Sequence, residues 1–183
     1  MSAALIILIV IGIIAVMIIG WFISTSNGIK RSGLKVTEAL SGIDVALTKR
    51  YDVLTKMLDT CKGYMNYEQQ TLVQLVQMRS GMSMNERNAA SANMDQVSSQ
   101  IRLLAENYPQ LRSSANFVEL QKSIADVEEH LQASRRLYNA NVNEFNQRII
   151  TFPSSIVAGM MGQTQKPFFE ADAAKRQDVK MKF

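Results

Sequence analysis

Two sets of polar residues interrupt what would otherwise be continuous apolar helical faces. Asp44, Arg50 and Tyr51 form the first, with Arg50 close to a stripe of aliphatic side chains. Arg135, Tyr138, Asn139 and Asn146 form the second, at near-helical spacing, with Arg136 beside them. If the segments carrying them pack antiparallel, these groups would meet in a partly buried network that fixes helix register. Buried polar atoms need partners, so such a network serves structure, a ligand or partner protein, or catalysis.

The other reactive side chains offer less. His130 is the only histidine, and it lies beside Leu131 in a regular helical pattern with no cysteine nearby. It reads as a helix-surface residue. Cys61 is the only cysteine, which excludes an intrachain disulfide and a cysteine-cluster metal site. It falls in the apolar register, reads as core packing, and fits a reducing compartment. No glycine-rich phosphate loop precedes a helix, and neither H-E-x-x-H nor G-x-S-x-G occurs. An enzyme would need a pocket bringing Asp44, Glu68 or His130 together, which sequence distance does not show. The chain is therefore read as a non-enzyme without metal or cofactor.

The elements that must position these groups begin with an anchor. Ala3 to Ile23 is uncharged and almost wholly aliphatic, with Ala3, Leu5, Ile9, Ile14, Ile19 and Ile23 along it. A bilayer crossing takes roughly 20 apolar residues in a helix. A cleaved signal peptide would carry a cationic start and a shorter apolar core. No Lys or Arg precedes this run, although Ser24-Thr25-Ser26 resembles a cleavage site. The first cations, Lys30, Arg31 and Lys35, follow the span and favour a cytoplasmic C-terminal side. Trp21 suits the headgroup layer at that end. Gly12 and Gly20 are too far apart for a G-x-x-x-G pair.

The net charge of +4 and pI near 9.3 are mild. No dense basic run with interleaved aromatics is present, which argues against nucleic-acid binding. The three juxtamembrane cations would each gain about 1 kcal/mol against anionic lipid.

Beyond the anchor, apolar residues recur at three and four, as in an amphipathic helix. Val36, Leu40, Ile43, Leu47, Leu54, Leu58, Cys61 and Met65 make one stripe, and Leu72, Leu75 and Met78 continue it. Ser26-Asn27-Gly28 is expected to break the anchor from this helix. Ser80 to Asn93, with Gly81, Met82 and Met84, reads as a loop. A shorter helix follows through Met94, Val97, Ile101 and Leu104, stopping before Pro109. The longest stripe runs from Phe117 through Leu120, Ile124, Val127, Leu131, Tyr138 and Phe145 to Phe152. Asn116 and Glu119 have capping-box spacing, and Pro153 ends the helix. Ser154 is expected to cap a last short helix through Met161. The polar tail carries Phe168 and Phe169, expected to dock onto the helices. The fold class is thus all-α: one N-terminal transmembrane helix, then a cytoplasmic antiparallel bundle of three long helices and a short C-terminal one. The expected divisions are residues 1–25, 26–162 and 163–183.

These residues carry a resemblance to the LemA family of bacterial membrane proteins. It rests on Ile43-Asp44-Val45-x-Leu47-x-x-Arg50-Tyr51-x-x-Leu54 and Lys62-Gly63-Tyr64 leading to Glu68. It continues in Glu106-Asn107-Tyr108-Pro109-x-Leu111 and Ala115-Asn116-Phe117-x-x-Leu120-Gln121. Ala133-Ser134-Arg135-Arg136-x-Tyr138-Asn139-x-x-Val142, Asn146 and Phe152-Pro153 complete it. Leu40 and Gly42 depart from the family's tryptophan and acidic residue, and Thr55-Lys56-Met57 lacks its proline. The resemblance implies a short external N-terminus, one span and a cytoplasmic bundle in the bacterial inner membrane. It implies no reaction. Similar proteins accompany membrane proteases or envelope-stress functions, which suggests a partner class.

The function expected is a membrane-anchored scaffold or adaptor that works by protein binding, including self-association as a homo-oligomer. Its partners would be the lipid bilayer and further copies, with Phe168-Phe169 a contact surface. The alternative is a regulator or presenter of a membrane protease or signalling partner, acting through the face around Arg135 and Arg136.

Overall fold

The structure, a computed structural model, describes residues 3–63, 75, 78–79 and 81–169. Expectations resting on Met65, Glu68, Leu72 and the tail beyond Phe169 concern residues outside these. Every described element is helical: α1 (Ala3–Lys62), α2 (Met84–Asn107), α3 (Pro109–Arg112), α4 (Ala115–Ile150) and α5 (Ser154–Met160). By contact the chain divides into two compact units, Met1–Glu38 with Asn139–Pro167, and Ala39–Tyr138 with Phe168–Phe183. Helices α1 and α4 contribute to both.

In the first unit, α1 begins as a helix that is apolar on every side and wholly exposed from Ala3 to Trp21. A helix of that kind is stable only against an apolar medium. No break follows it. Ser26, Asn27 and Gly28 lie within continuous helix, because no proline removes a backbone donor there and the glycine is used for close packing. A Cβ on Gly28 would lie 3.0 Å from Arg148 Nη1, and one on Gly33 would lie 3.4 Å from the Phe145 ring. Asn141 Nδ2 donates to Lys35 O at 3.3 Å. These pairs run in opposite order along the two helices, so α4 returns antiparallel to this part of α1. Ile29 and Val36 of α1 are buried, as are Val142, Phe145 and Ile149 of α4 and Val157 of α5. Each such side chain contributes roughly 1.5–3 kcal/mol when fully buried.

After Pro153, α5 starts without a side-chain cap. The Ser154 hydroxyl instead donates back to Arg148 O at 2.6 Å and Thr151 O at 2.9 Å, fastening the corner to the end of α4. The segment beyond α5 is held by Asn146. Its Oδ1 accepts from Lys166 N at 2.8 Å, and its Nδ2 donates to Lys166 O at 2.9 Å.

The second unit is built on the stripe Ile43, Leu47, Leu54, Leu58 and Cys61, all buried. Met94, Val97 and Ile101 of α2 are buried too, with Phe117, Ile124, Val127, Leu131 and Tyr138 of α4. Leu75 and Met78, expected to be helical, are not. Helix α2 begins ten residues before Met94, inside the stretch expected to be a loop. The cause is a capping box: Glu86 N donates to Ser83 Oγ at 3.3 Å, and Ser83 N donates to Glu86 Oε2 at 2.7 Å. Gly81 turns the chain into it at φ +80°, a conformation that favours glycine. At α4 the cap is Ser114, whose Oγ accepts from Phe117 N at 3.4 Å. Asn116 lies two residues too late and sits inside the helix.

Helix direction in this unit follows from its ion pairs. Asp44 meets Arg87 and Arg50 meets Asp95, so α1 and α2 run the same way. Arg50 meets Glu128, and Gly42 lies against Ser134, so α4 runs opposite to both.

Candidate functional site

The polar groups of the second unit converge on Arg50. Its side chain is only 4% exposed, on the α1 face that packs against α2 and α4. Nη2 donates to Asp95 Oδ1 at 2.6 Å and to Glu128 Oε1 at 3.1 Å. Nη1 reaches Ser91 O at 3.5 Å, while Nε is buried without a hydrogen-bond partner. One guanidinium thereby ties three helices together. A buried cation is tolerated on these terms, because its charge and most of its donors are matched.

A second pair lies about two turns away. Arg87 grips Asp44 through both carboxylate oxygens, Nε to Oδ1 at 2.6 Å and Nη2 to Oδ2 at 2.8 Å. Such fork-on-fork pairing is among the stronger charge-assisted contacts. The hydrogen bond to Asp44 pushes the Arg87 guanidinium still further toward its charged form. The remaining Nη1 donates to Met82 O, closing the turn ahead of α2. Tyr138 lies in this neighbourhood. Burial pushes its phenol up, and the nearby Arg87 charge partly offsets that.

Arg135 completes the layer. Nη2 donates to Ser91 Oγ, and the guanidinium carbon stands 4.7 Å over the centre of the Phe169 ring. Ser91 therefore serves two arginines, Arg50 through its carbonyl and Arg135 through its hydroxyl. Phe169 is buried, as expected of a docked tail, whereas Phe168 is 45% exposed.

A cleft of about 410 Å³ opens beside this layer, with Arg50 and Arg135 on its wall alongside Asp95, Arg102, Glu128 and Gln132. Its three arginines stand against Asp95, Glu128 and Glu129. Guanidinium groups stay protonated and offer only donors. The arrangement suits charge pairing and hydrogen-bonded recognition. Among the described residues, no group of three His, Cys, Asp or Glu side chains is placed to hold a metal.

Of the residues singled out from sequence, Asp44, Arg50, Arg135 and Tyr138 lie in this layer. Tyr51 and Asn139 are half-buried, and Arg136 is exposed on the outer side of α4. Arg135 and Arg136 therefore do not form one surface. Asn146 belongs to the first unit, where it holds the Lys166 backbone. Lys30 and Arg31 are exposed, and Lys35 Nζ lies 4.0 Å from Glu144. His130 is exposed. Cys61 is buried in the core, and that burial pushes its thiol up to about 11. Sequence reasoning missed Arg87, Ser91, Asp95 and Glu128. The available signal was the spacing of Arg87, Ser91, Met94 and Ser98 on one face of α2.

These features define the class: an all-α chain headed by a helix long and apolar enough to cross a membrane. A family model described as the LemA family matches residues 39–183, and the chain belongs to that family. The protein LemA of Metamycoplasma hominis is 29% identical over 163 residues, covering 86% of this chain and 74% of the relative.

Proposed function

We propose that this chain is a membrane-anchored helical scaffold or adaptor that acts by binding other proteins, including copies of itself. The observation that carries this reading is α1. It is apolar and uncovered over a membrane's thickness, then continues unbroken into the amphipathic helix that carries Arg50. Lys30, Arg31 and Lys35 follow the span and favour a cytoplasmic body. In this reading the N-terminus is external, the membrane is the bacterial inner membrane, and the helices form a bundle beneath it. Tethering to one plane raises the effective concentration of copies, so weak lateral contacts suffice for assembly. Leu103 and Leu137 are exposed by 61% and 57% and supply apolar contacts for that purpose.

Light scattering on the intact chain in mild detergent tests the proposal. A discrete assembly supports the scaffold reading. A monomer sinks self-association and leaves capture of a foreign membrane partner. The regulatory alternative draws on the outward position of Arg136 beside Leu137. Under it, Arg136→Glu releases a captured protease or signalling partner while far-UV circular dichroism stays unchanged; an unaltered interaction counts against it.

A further inference from the structure

We infer that the corner between α4 and α5 is a second membrane contact, an interfacial foot that rests in the headgroup layer beside the span. The inference rests on the reading of Ala3–Ile23 as a transmembrane segment. All the residues it uses belong to the first unit.

Depth is the first argument. Ser26 Oγ lies 3.3 Å from Met161 Sδ, just past the end of α5. Ser26 stands three residues beyond Ile23, or about 4.5 Å along the helix axis. Coverage of α1 starts lower still. Phe22 and Thr25 are already half-buried, whereas Leu5 through Trp21 are exposed. The packed body therefore begins within the last turn of the apolar run. Amphipathic elements that lie in the interface sink about 5–10 Å into the boundary of headgroups and acyl chains. The α5 corner sits at that level.

Chemistry is the second argument. Ile150 is 57% exposed, Phe152 77%, Ile156 53% and Met160 73%, although Val157 and Ala158 of the same short helix are buried. Ile156 and Met160 are one helical turn apart and share a face. Four large apolar side chains within eleven residues make a cluster, and exposed clusters mark interaction sites where isolated side chains do not. Lys30 and Arg31 are exposed on the next turn of α1, and Arg148 lies against Gly28. An apolar cluster bordered by cations fits a lipid surface with anionic headgroups.

The span fixes the lateral position of the chain, and the foot fixes its tilt. With one contact, the first unit could lean away from the membrane normal in any direction. With two, the face that it presents along the membrane is defined.

The test uses the full chain in vesicles of phosphatidylcholine and phosphatidylglycerol, with and without nitroxide-labelled lipid. The environment-sensitive fluorophore NBD is attached at Ile156→Cys, Met160→Cys or Asn143→Cys, the last an exposed position two turns up α4 from Ile150. The buried Cys61 stays unlabelled near neutral pH. Trp21, the only tryptophan, reports the anchor in the same samples. The expected result is a blue shift and lipid quenching at 156 and 160, none at 143, and quenching of Trp21. Quenched Trp21 with no quenching at 156 and 160 overturns the foot and leaves the anchor standing. A blue shift without lipid quenching also overturns it, pointing to a second copy on the patch. Unquenched Trp21 overturns the anchor reading, and the foot falls with it.

Discussion

Replacing Arg50 by methionine tests whether one guanidinium holds three helices. The substitution keeps the length of an apolar stem and removes the charge. It takes away the bonds to Asp95 and Glu128, at 2.6 and 3.1 Å. Breaking a fully buried ion pair by deleting one partner costs about 3–5 kcal/mol. Here the carboxylates are 28% and 34% exposed, so both recover some water, and the expected loss is about 2–3 kcal/mol. At about 2–4 °C per kcal/mol for a chain of this size, the melting midpoint falls by roughly 5–10 °C. Arg50→Lys retains the charge but not the fork, and is expected to lose about 1–2 kcal/mol. Urea denaturation in detergent, followed by circular dichroism at the helix band, measures both. Adding Asp95→Leu and Glu128→Leu to Arg50→Met should recover most of the loss, because an apolar layer of similar volume strands no charge. A loss under about 0.5 kcal/mol for Arg50→Met would refute the reasoning. So would a combined variant whose losses simply add.

Four further outcomes follow from the geometry. Ser83→Ala removes the acceptor for Glu86 N and should cost about 1 kcal/mol, read in the same denaturation assay. Gly42→Ala places its Cβ 3.8 Å from Ser134 Oγ, an ordinary contact. Relieved of glycine's cost in a helix, that variant should gain about 0.5–1 kcal/mol, and a loss would mean α1 and α4 sit closer than described. Arg87→Met should destabilise by about 2 kcal/mol, and Asp44→Asn by less because that carboxylate is 39% exposed. The Cys61 thiol rises from its ordinary 9.0 to about 11 in the folded chain. Folded molecules then keep a proton that unfolded ones have lost, so stability falls as pH rises from about 9 to 11, by about 2–3 kcal/mol. Cys61→Ala should flatten that slope; an identical alkaline profile would contradict the burial argument.

Much of this fold was legible because its signals are periodic. The apolar start of α1 shows as aliphatic side chains on every face, and the Ile43, Leu47, Leu54, Leu58 and Cys61 stripe shows as threes and fours. Arg50 stood out because a cation close to an aliphatic stripe needs a partner. The partners were less visible. Asp95 and Glu128 are ordinary helix carboxylates until three helices meet, and no spacing within one helix reveals that. The start of α2 was obscured for a different reason. Arg87, Ala90 and Ser91 are buried but small or polar, so the buried face carries little apolar contrast. The Ser83–Glu86 box was the better signal there. Asn116 with Glu119 had the same spacing and misled, since Ser114 reached the free amide first. Direction was also hidden: a stripe reads the same whichever way its helix runs, so the parallel α1–α2 pairing appears only through Asp44–Arg87 and Arg50–Asp95.

The uninterrupted α1 has a consequence for how the proposed anchor can vary. Each residue added to a helix turns everything before it by about 100° relative to everything after. From Ser26 onward that angle matters, because Gly28 and Gly33 must face α4. From Leu5 to Trp21 the helix is uncovered and apolar all round, so against lipid alone it has no preferred azimuth. A one-residue insertion there changes phase without changing what the bilayer meets. In the anchored reading this segment is a shaft without a keyway, and any sensitivity to its phase would belong to a protein lying beside it in the membrane.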